Sequence, residues 1–210
     1  MILVVASSQA ELSGFAHAHS SIRPVVVGVG LVQAAVNTYA AIMEYAPSHV
    51  VGIGSCCALS EDYPLGSLVI PSEVVHYGVD LRRFGLARGE VYSPSGEHFG
   101  PLTVDRLPSG PTTPACRLGS ADRFSTSADR THYRWMRDEL HLDAVDMESY
   151  AMVAAAQRAQ VPVTIIRAVS DSWDAGRLKN LPTFLKNASQ EIREYIDRYS
   201  EPSEKSPVIL

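Results

Sequence analysis

Apolar residues fall in short unbroken runs along this chain, separated by stretches of mixed character. Residues 1–6 (MILVVA) and 24–28 (PVVVG) each read as a strand covered on both faces, where polar alternation is not needed. A glycine turn follows, and residues 31–46 are rich in alanine and long apolar side chains up to Pro47, which predicts a helix. Residues 50–53 predict a third strand ending in a turn at Gly54-Ser55-Cys56-Cys57, and the β-branched segments 67–71 and 73–77 predict two more. From 86 to 115 glycine and proline recur and periodicity disappears, which predicts a long irregular insertion near a site or an interface. Beyond it the pattern predicts a helix over 127–140, a strand at 143–145, an alanine-rich buried helix over 148–160 and a strand at 163–169. The last helix is the most sharply patterned. Phe184, Leu185, Ala188, Ile192, Tyr195, Ile196 and Tyr199 recur at spacings of three and four, with charged residues between them. Residues 201–210 are polar and broken by proline, so a loose tail is expected there. Strands alternating with helices predict an α/β layered fold, with one domain over residues 1–200.

Composition narrows the function. An apolar fraction of 46% and a charged fraction of 20% fit a globular core. A net charge of −5 gives no electrostatic reason to expect nucleic acid or an anionic membrane as partner. No stretch approaches the roughly 20 apolar residues of a membrane span. The N-terminal run lacks a basic lead and reads as a first strand, not a signal peptide. Three cysteines, two of them adjacent, make no disulfide framework and suit a reducing, cytoplasmic setting.

Candidate chemistry sits where strands end. IIRAVSDSWD (165–174) begins as a core strand and finishes on two carboxylates. Those acids either satisfy a turn or are delivered to a pocket. Asp174 is expected to be a structural neighbour. In AVDMESYA (144–151), Glu148 either caps the following helix or projects from a strand's carboxyl end, where open α/β sheets place ligands. Glu11, just past the first strand, is a third such acid. In GIGSCCAL (52–59) small residues allow a ligand to approach the backbone, and Ser55 supplies a hydroxyl. Cys56 and Cys57 read as core packing, since no histidine or asparagine pattern supports a cysteine nucleophile. The histidines are scattered, and no metal-ligand spacing is evident.

Taken in order, the first strand with Glu11, GVGLVQAA (28–35), GSCCAL (54–59), ADRF (121–124), VDMES (145–149) and IIRAVSD (165–171) resemble the purine nucleoside phosphorylase/nucleosidase superfamily, above all its 5′-methylthioadenosine/S-adenosylhomocysteine nucleosidases. The resemblance implies a three-layer α/β/α sandwich with a mixed central sheet, in a homodimer without cofactor. It implies that Asp171 protonates the purine at N7 and accepts from the 6-amino group. Glu11 would position and deprotonate water, and Glu148, with Met147 beside it, would hold the ribose hydroxyls. Ser55 would line the pocket near the sugar, Phe124 would stack on the base, and Ser125 would meet its edge. Leu181 would wall the 5′-substituent. Phosphate-using relatives place an arginine where Gly52 stands, and an arginine after the first strand where Glu11 lies, so hydrolysis is expected. An aspartate at position 171 favours a 6-aminopurine over the 6-oxopurines of futalosine hydrolases. Futalosine hydrolysis, phosphorolysis and simple nucleoside binding are the alternatives.

Overall fold

The computed structural model describes residues 1–93, 95–110, 116–125, 128, 131–173, 176, 177 and 179–200. The predicted tail at 201–210 and Asp174 lie outside the described residues. The chain builds a mixed sheet around two long strands, β3 (His49–Ala58) and β11 (Val163–Ser172), which run parallel from Val50 opposite Val163 onward. On the other edge of β3 lies β1 (Ile2–Ala6), parallel, with β2 (Ile22–Val26) beyond it. Two short strands follow, β4 (Leu68–Val69), antiparallel to β11, and β5 (Glu73–His76). β9 (Arg117–Ser120) runs parallel to both β5 and β10 (Ala144–Asp146), while β10 meets β3 antiparallel.

Strand alternation sorts the core into two faces. Leu3, Val5, Val50 and Ile165 pack with Ala34 and Ile42 of α1 (Leu31–Tyr45) and with Met152 and Ala156 of α3 (Ser149–Arg158). Their neighbours Val4, Ala6, Val51 and Ile166 pack with Ile192 and Ile196 of α4 (Leu181–Tyr199). Helices on both faces make the three-layer α/β/α arrangement that the sequence implied. A third cluster, with Met136 of the short α2 (Trp135–Asp138), covers the upper end of the sheet around Cys57, Val145 and Trp173.

Three expectations change. Gly54–Cys57 is not a turn, because β3 continues through Ala58 with β11 as its ladder partner from Val50 onward. The described part of 127–140 is helical only over α2, with Arg88 and Arg123 stacked at 4.0 Å on the rings of Trp135 and Tyr133 around it. The 86–115 insertion is not wholly irregular: β6 (Val91–Tyr92) pairs with β7 (His98–Phe99), and β8 (Leu102–Thr103) joins the main sheet against β5.

Candidate active site

The site forms where β3 changes neighbours. β1 pairs with β3 as far as Gly52, and β10 takes over only at Cys57. Between those ladders the edge of β3 opens into a crevice at the carboxyl ends of β1, β3 and β11, the place where α/β sheets bind ligands. A cavity of about 210 Å³ occupies it. Glu11, Ser55, Met147, Glu148 and Asp171 line it, as do Phe124 and Ser125.

Glu11 closes the opening. Its Oε1 accepts from the Ser55 amide at 3.2 Å, a donor that lies between the two ladders. Its Oε2 accepts from the Ser7 hydroxyl and from the Ser8 amide and hydroxyl at 3.1 and 3.2 Å. A carboxylate accepting several such donors is fixed in direction as well as place. Gly54 makes this approach possible. Its φ is +154°, and a Cβ there would stand 2.9 Å from Glu11 Oε1 and 2.5 Å from Arg167 Nη1.

The two readings of Glu148 separate. Glu148 stands at the N-cap of α3, yet its side chain makes no capping bond. Asp146 does that instead, accepting from the Ser149 amide at 3.2 Å. Glu148 is released toward the cavity, where Oε1 accepts from the Gly30 amide at 2.9 Å. Gly30 itself has φ of +87°, and a Cβ on it would press on Asp122 Oδ1 at 2.7 Å. Burial, then the charge of Asp146, push the Glu148 carboxyl up to about 7, against the opposing pull of Arg167.

Asp146 and Arg167 are residues the sequence reading missed. Arg167 Nε meets Asp146 Oδ2 at 2.7 Å, and both side chains are almost wholly buried. The hydroxyls of Ser120 and Ser149 also donate to Asp146. An arginine inside an otherwise apolar strand was the available signal, since such a cation is rarely buried without a partner.

At the other end of the cavity, β11 carries a bulge. Val169 lies opposite Cys56 and Asp171 opposite Cys57, so Ser170 is the extra residue. That brings Asp171 level with Cys57 and Val145 in one row across three strands. Asp171 is buried, and the Ser170 hydroxyl donates to its Oδ1 at 2.6 Å. Ser125 accepts from the Trp173 indole at 3.0 Å, tying the loop that carries Phe124 to the end of β11. Phe124 remains 54% exposed at the mouth. Leu181 is not among the cavity's lining residues. It opens α4, whose buried side (Ala188, Ser189, Ile192, Ile196) fixes the helix on the face opposite α1 and α3. Val29 lines the cavity instead.

Comparison with known proteins agrees with this fold. The model of a family described as the phosphorylase superfamily matches residues 19–201. A 5′-methylthioadenosine/S-adenosylhomocysteine nucleosidase of Haemophilus ducreyi is 29% identical over 176 residues, covering 80% of this chain and 75% of the relative. Among solved structures, the nucleosidase of that name from Neisseria meningitidis, in complex with methylthio-immucillin-A, superposes with a TM-score of 0.76 at 24% identity, over 94% of this chain and 98% of the other. Futalosine hydrolase of Helicobacter pylori superposes with a TM-score of 0.77 at 17% identity, over 93% and 95%.

Proposed function

The chain belongs to the phosphorylase superfamily, and from that premise we propose that it is an N-glycosyl hydrolase that releases adenine from a nucleoside such as 5′-methylthioadenosine or S-adenosylhomocysteine. One observation carries the reading: Glu11, Glu148 and Asp171, delivered from separate strand ends, line a single cavity.

Breaking an N-glycosidic bond leaves a poor anionic base and an electron-poor sugar. In this reading Asp171 gives a proton to N7 of the base, with Phe124 stacked on its face and Ser125 at its edge. Glu148 accepts from the ribose hydroxyls, with Met147 and Ser55 beside the sugar. Glu11 orients water and takes its proton, and the neighbouring carboxylates favour positive charge developing on the sugar. General acid and base help contribute about 10²–10⁴ each.

Water is favoured over phosphate as nucleophile on two grounds. Arg123 is the one cation among the described lining residues, against four carboxylates. A side chain at position 52 would collide with Ile165 Cδ1 at 2.6 Å and Met152 Sδ at 2.8 Å, so this packing has no room for an arginine there. The test is release of the free purine base from methylthioadenosine, adenosylhomocysteine, futalosine and inosine, each with and without phosphate. Phosphate-independent release from the 6-amino substrates is expected. Strict phosphate dependence, or turnover of inosine and futalosine alone, overturns the reading.

The outer face of α1 supports a homodimer. Val32, Val36 and Met43 are each more than 60% exposed and recur along one face, and the line starts at Val29 on the cavity rim. Val36→Glu should turn a dimer into a monomer in light scattering. A wild-type monomer refutes the assignment. The three free cysteines favour a reducing compartment, and among the described residues no helix is long and apolar enough to cross a membrane.

A further inference from the structure

Asp146 is placed unlike the other acids of the cavity. Its two oxygens take the Ser120 and Ser149 hydroxyls, the Ser149 amide and the Arg167 Nε–H. Arg167 also donates to the Ser149 hydroxyl at 3.1 Å and to the Met152 sulfur at 3.6 Å. Among the described residues it is the largest fully buried side chain. A buried ion pair is poor evidence of stabilisation, because desolvating both charges offsets most of their attraction. Such a pair beside two substrate-facing carboxylates calls for another reason.

That reason lies in what surrounds the guanidinium. The charges of Asp146, Glu148 and Glu11 all favour its cationic form against burial. Released from Asp146, Arg167 would be drawn to Glu148 and Glu11, the two side chains assigned to ribose and water. We infer that Asp146 is a positioning residue for the reaction: it anchors Arg167 by its Nε, short of an ion pair with Glu148 or Glu11, and sets the charge under which Glu148 meets the sugar. This inference rests on the reading of Glu148 as the ribose ligand.

Four groups act on Glu148. Asp146 comes from β10, Arg167 from β11, Glu11 from the turn after β1 and the Gly30 amide from the turn before α1. Asp146 and Glu11 oppose ionisation, and Arg167 and Gly30 favour it. Removing the Asp146 charge abolishes a repulsion and frees a cation to approach, and both changes make Glu148 a stronger acid.

The experiment is the pH profile of kcat/KM, which reports groups of the free enzyme. In Asp146→Asn the acid limb should move about one unit to lower pH, while activity at pH 8 falls about tenfold. Asp146→Glu should restore the wild-type limb. A folded Asp146→Asn protein whose limb has not moved overturns the inference, since a merely structural role lowers activity without displacing the limb. Should Asp146→Asn not fold, Asp146→Asn/Arg167→Gln removes the pair without leaving a buried lone charge. Its limb should also fall, because Asp146 acts on Glu148 more strongly than Arg167 does, and an unmoved limb there is equally adverse. Glu148→Gln separates the underlying reading: if that variant keeps both the limb and normal KM, the ribose assignment fails whatever Asp146 does.

Discussion

The two ends of the cavity are built on different physical terms. At the sugar end the acids sit among other charges: Glu148 beside Asp146, and Arg167 between strands with its cation wholly buried. At the base end Asp171 leans on a hydroxyl from its own strand, and the aromatic lid Phe124 is open to solvent. The first end rests on a balance of charge, the second on hydrogen bonds. On the proposed reading, a single cavity holds two carboxylates with unlike duties, Glu148 binding hydroxyls and Asp171 passing a proton to the base.

The sharpest break comes from the leaving group. Asp171→Asn should lower kcat on an adenine nucleoside by about 10²–10⁴. On a riboside whose leaving group needs no proton, the same variant should retain most of its activity. Glu11→Gln should lose a similar factor on both substrates, because water activation is common to them. Equal losses for Asp171→Asn on the two substrates would erase the distinction between the ends.

Next in size is Glu148→Gln, expected to raise KM by about 10–100-fold through the loss of charged hydrogen bonds to the sugar, with a smaller change in kcat. The same variant reports on stability. Below the ordinary value of 4.5 the carboxyl is protonated whether folded or unfolded, and contributes no pH dependence. Between 4.5 and about 7 the folded chain keeps a proton that the unfolded chain has shed, so wild-type stability falls as pH rises. The full cost, roughly 3 kcal/mol, is present above 7. Denaturant titrations at pH 4.5 and 8 should show Glu148→Gln gaining on the wild type at the higher pH. An unchanged difference between the two proteins would mean Glu148 is not held in a charge-hostile place. The smallest effect belongs to the open end, where Phe124→Ala should raise KM by about five- to tenfold through lost stacking. No change would leave the aromatic lid without a part in recognition.

Much of this was legible in the chain itself. The apolar runs located β1, β2 and α1, and the three- and four-residue spacing located α4, because burial dictates those patterns directly. The three acids at strand ends were equally readable, since a carboxylate just past an apolar run is conspicuous. The continuation of β3 through Gly54–Ala58 was not. Small polar residues suggest a turn locally, and only the ladder with β11 holds them extended. Arg167 and Asp146 escaped notice for a related reason: their positions, 21 residues apart, say nothing of contact until β10 and β11 bring both to the α3 side. Leu181 falls outside the cavity lining because α4 is oriented by its far side, Ile192 and Ile196, rather than by its first residue.

The irregularity at Ser170 makes the protein vulnerable in an unusual way. Were β11 to straighten with Ser170 kept in the ladder, Ser170 would stand opposite Cys57 and Asp171 opposite Ala58, and successive side chains on a strand face opposite sides. Core and ladder would survive, but the Asp171 carboxyl would leave the face that carries Cys57 and Val145. Ironing out the bulge should thus yield a chain that folds and is chemically silent, whereas deleting Ser170 outright keeps Asp171 opposite Cys57.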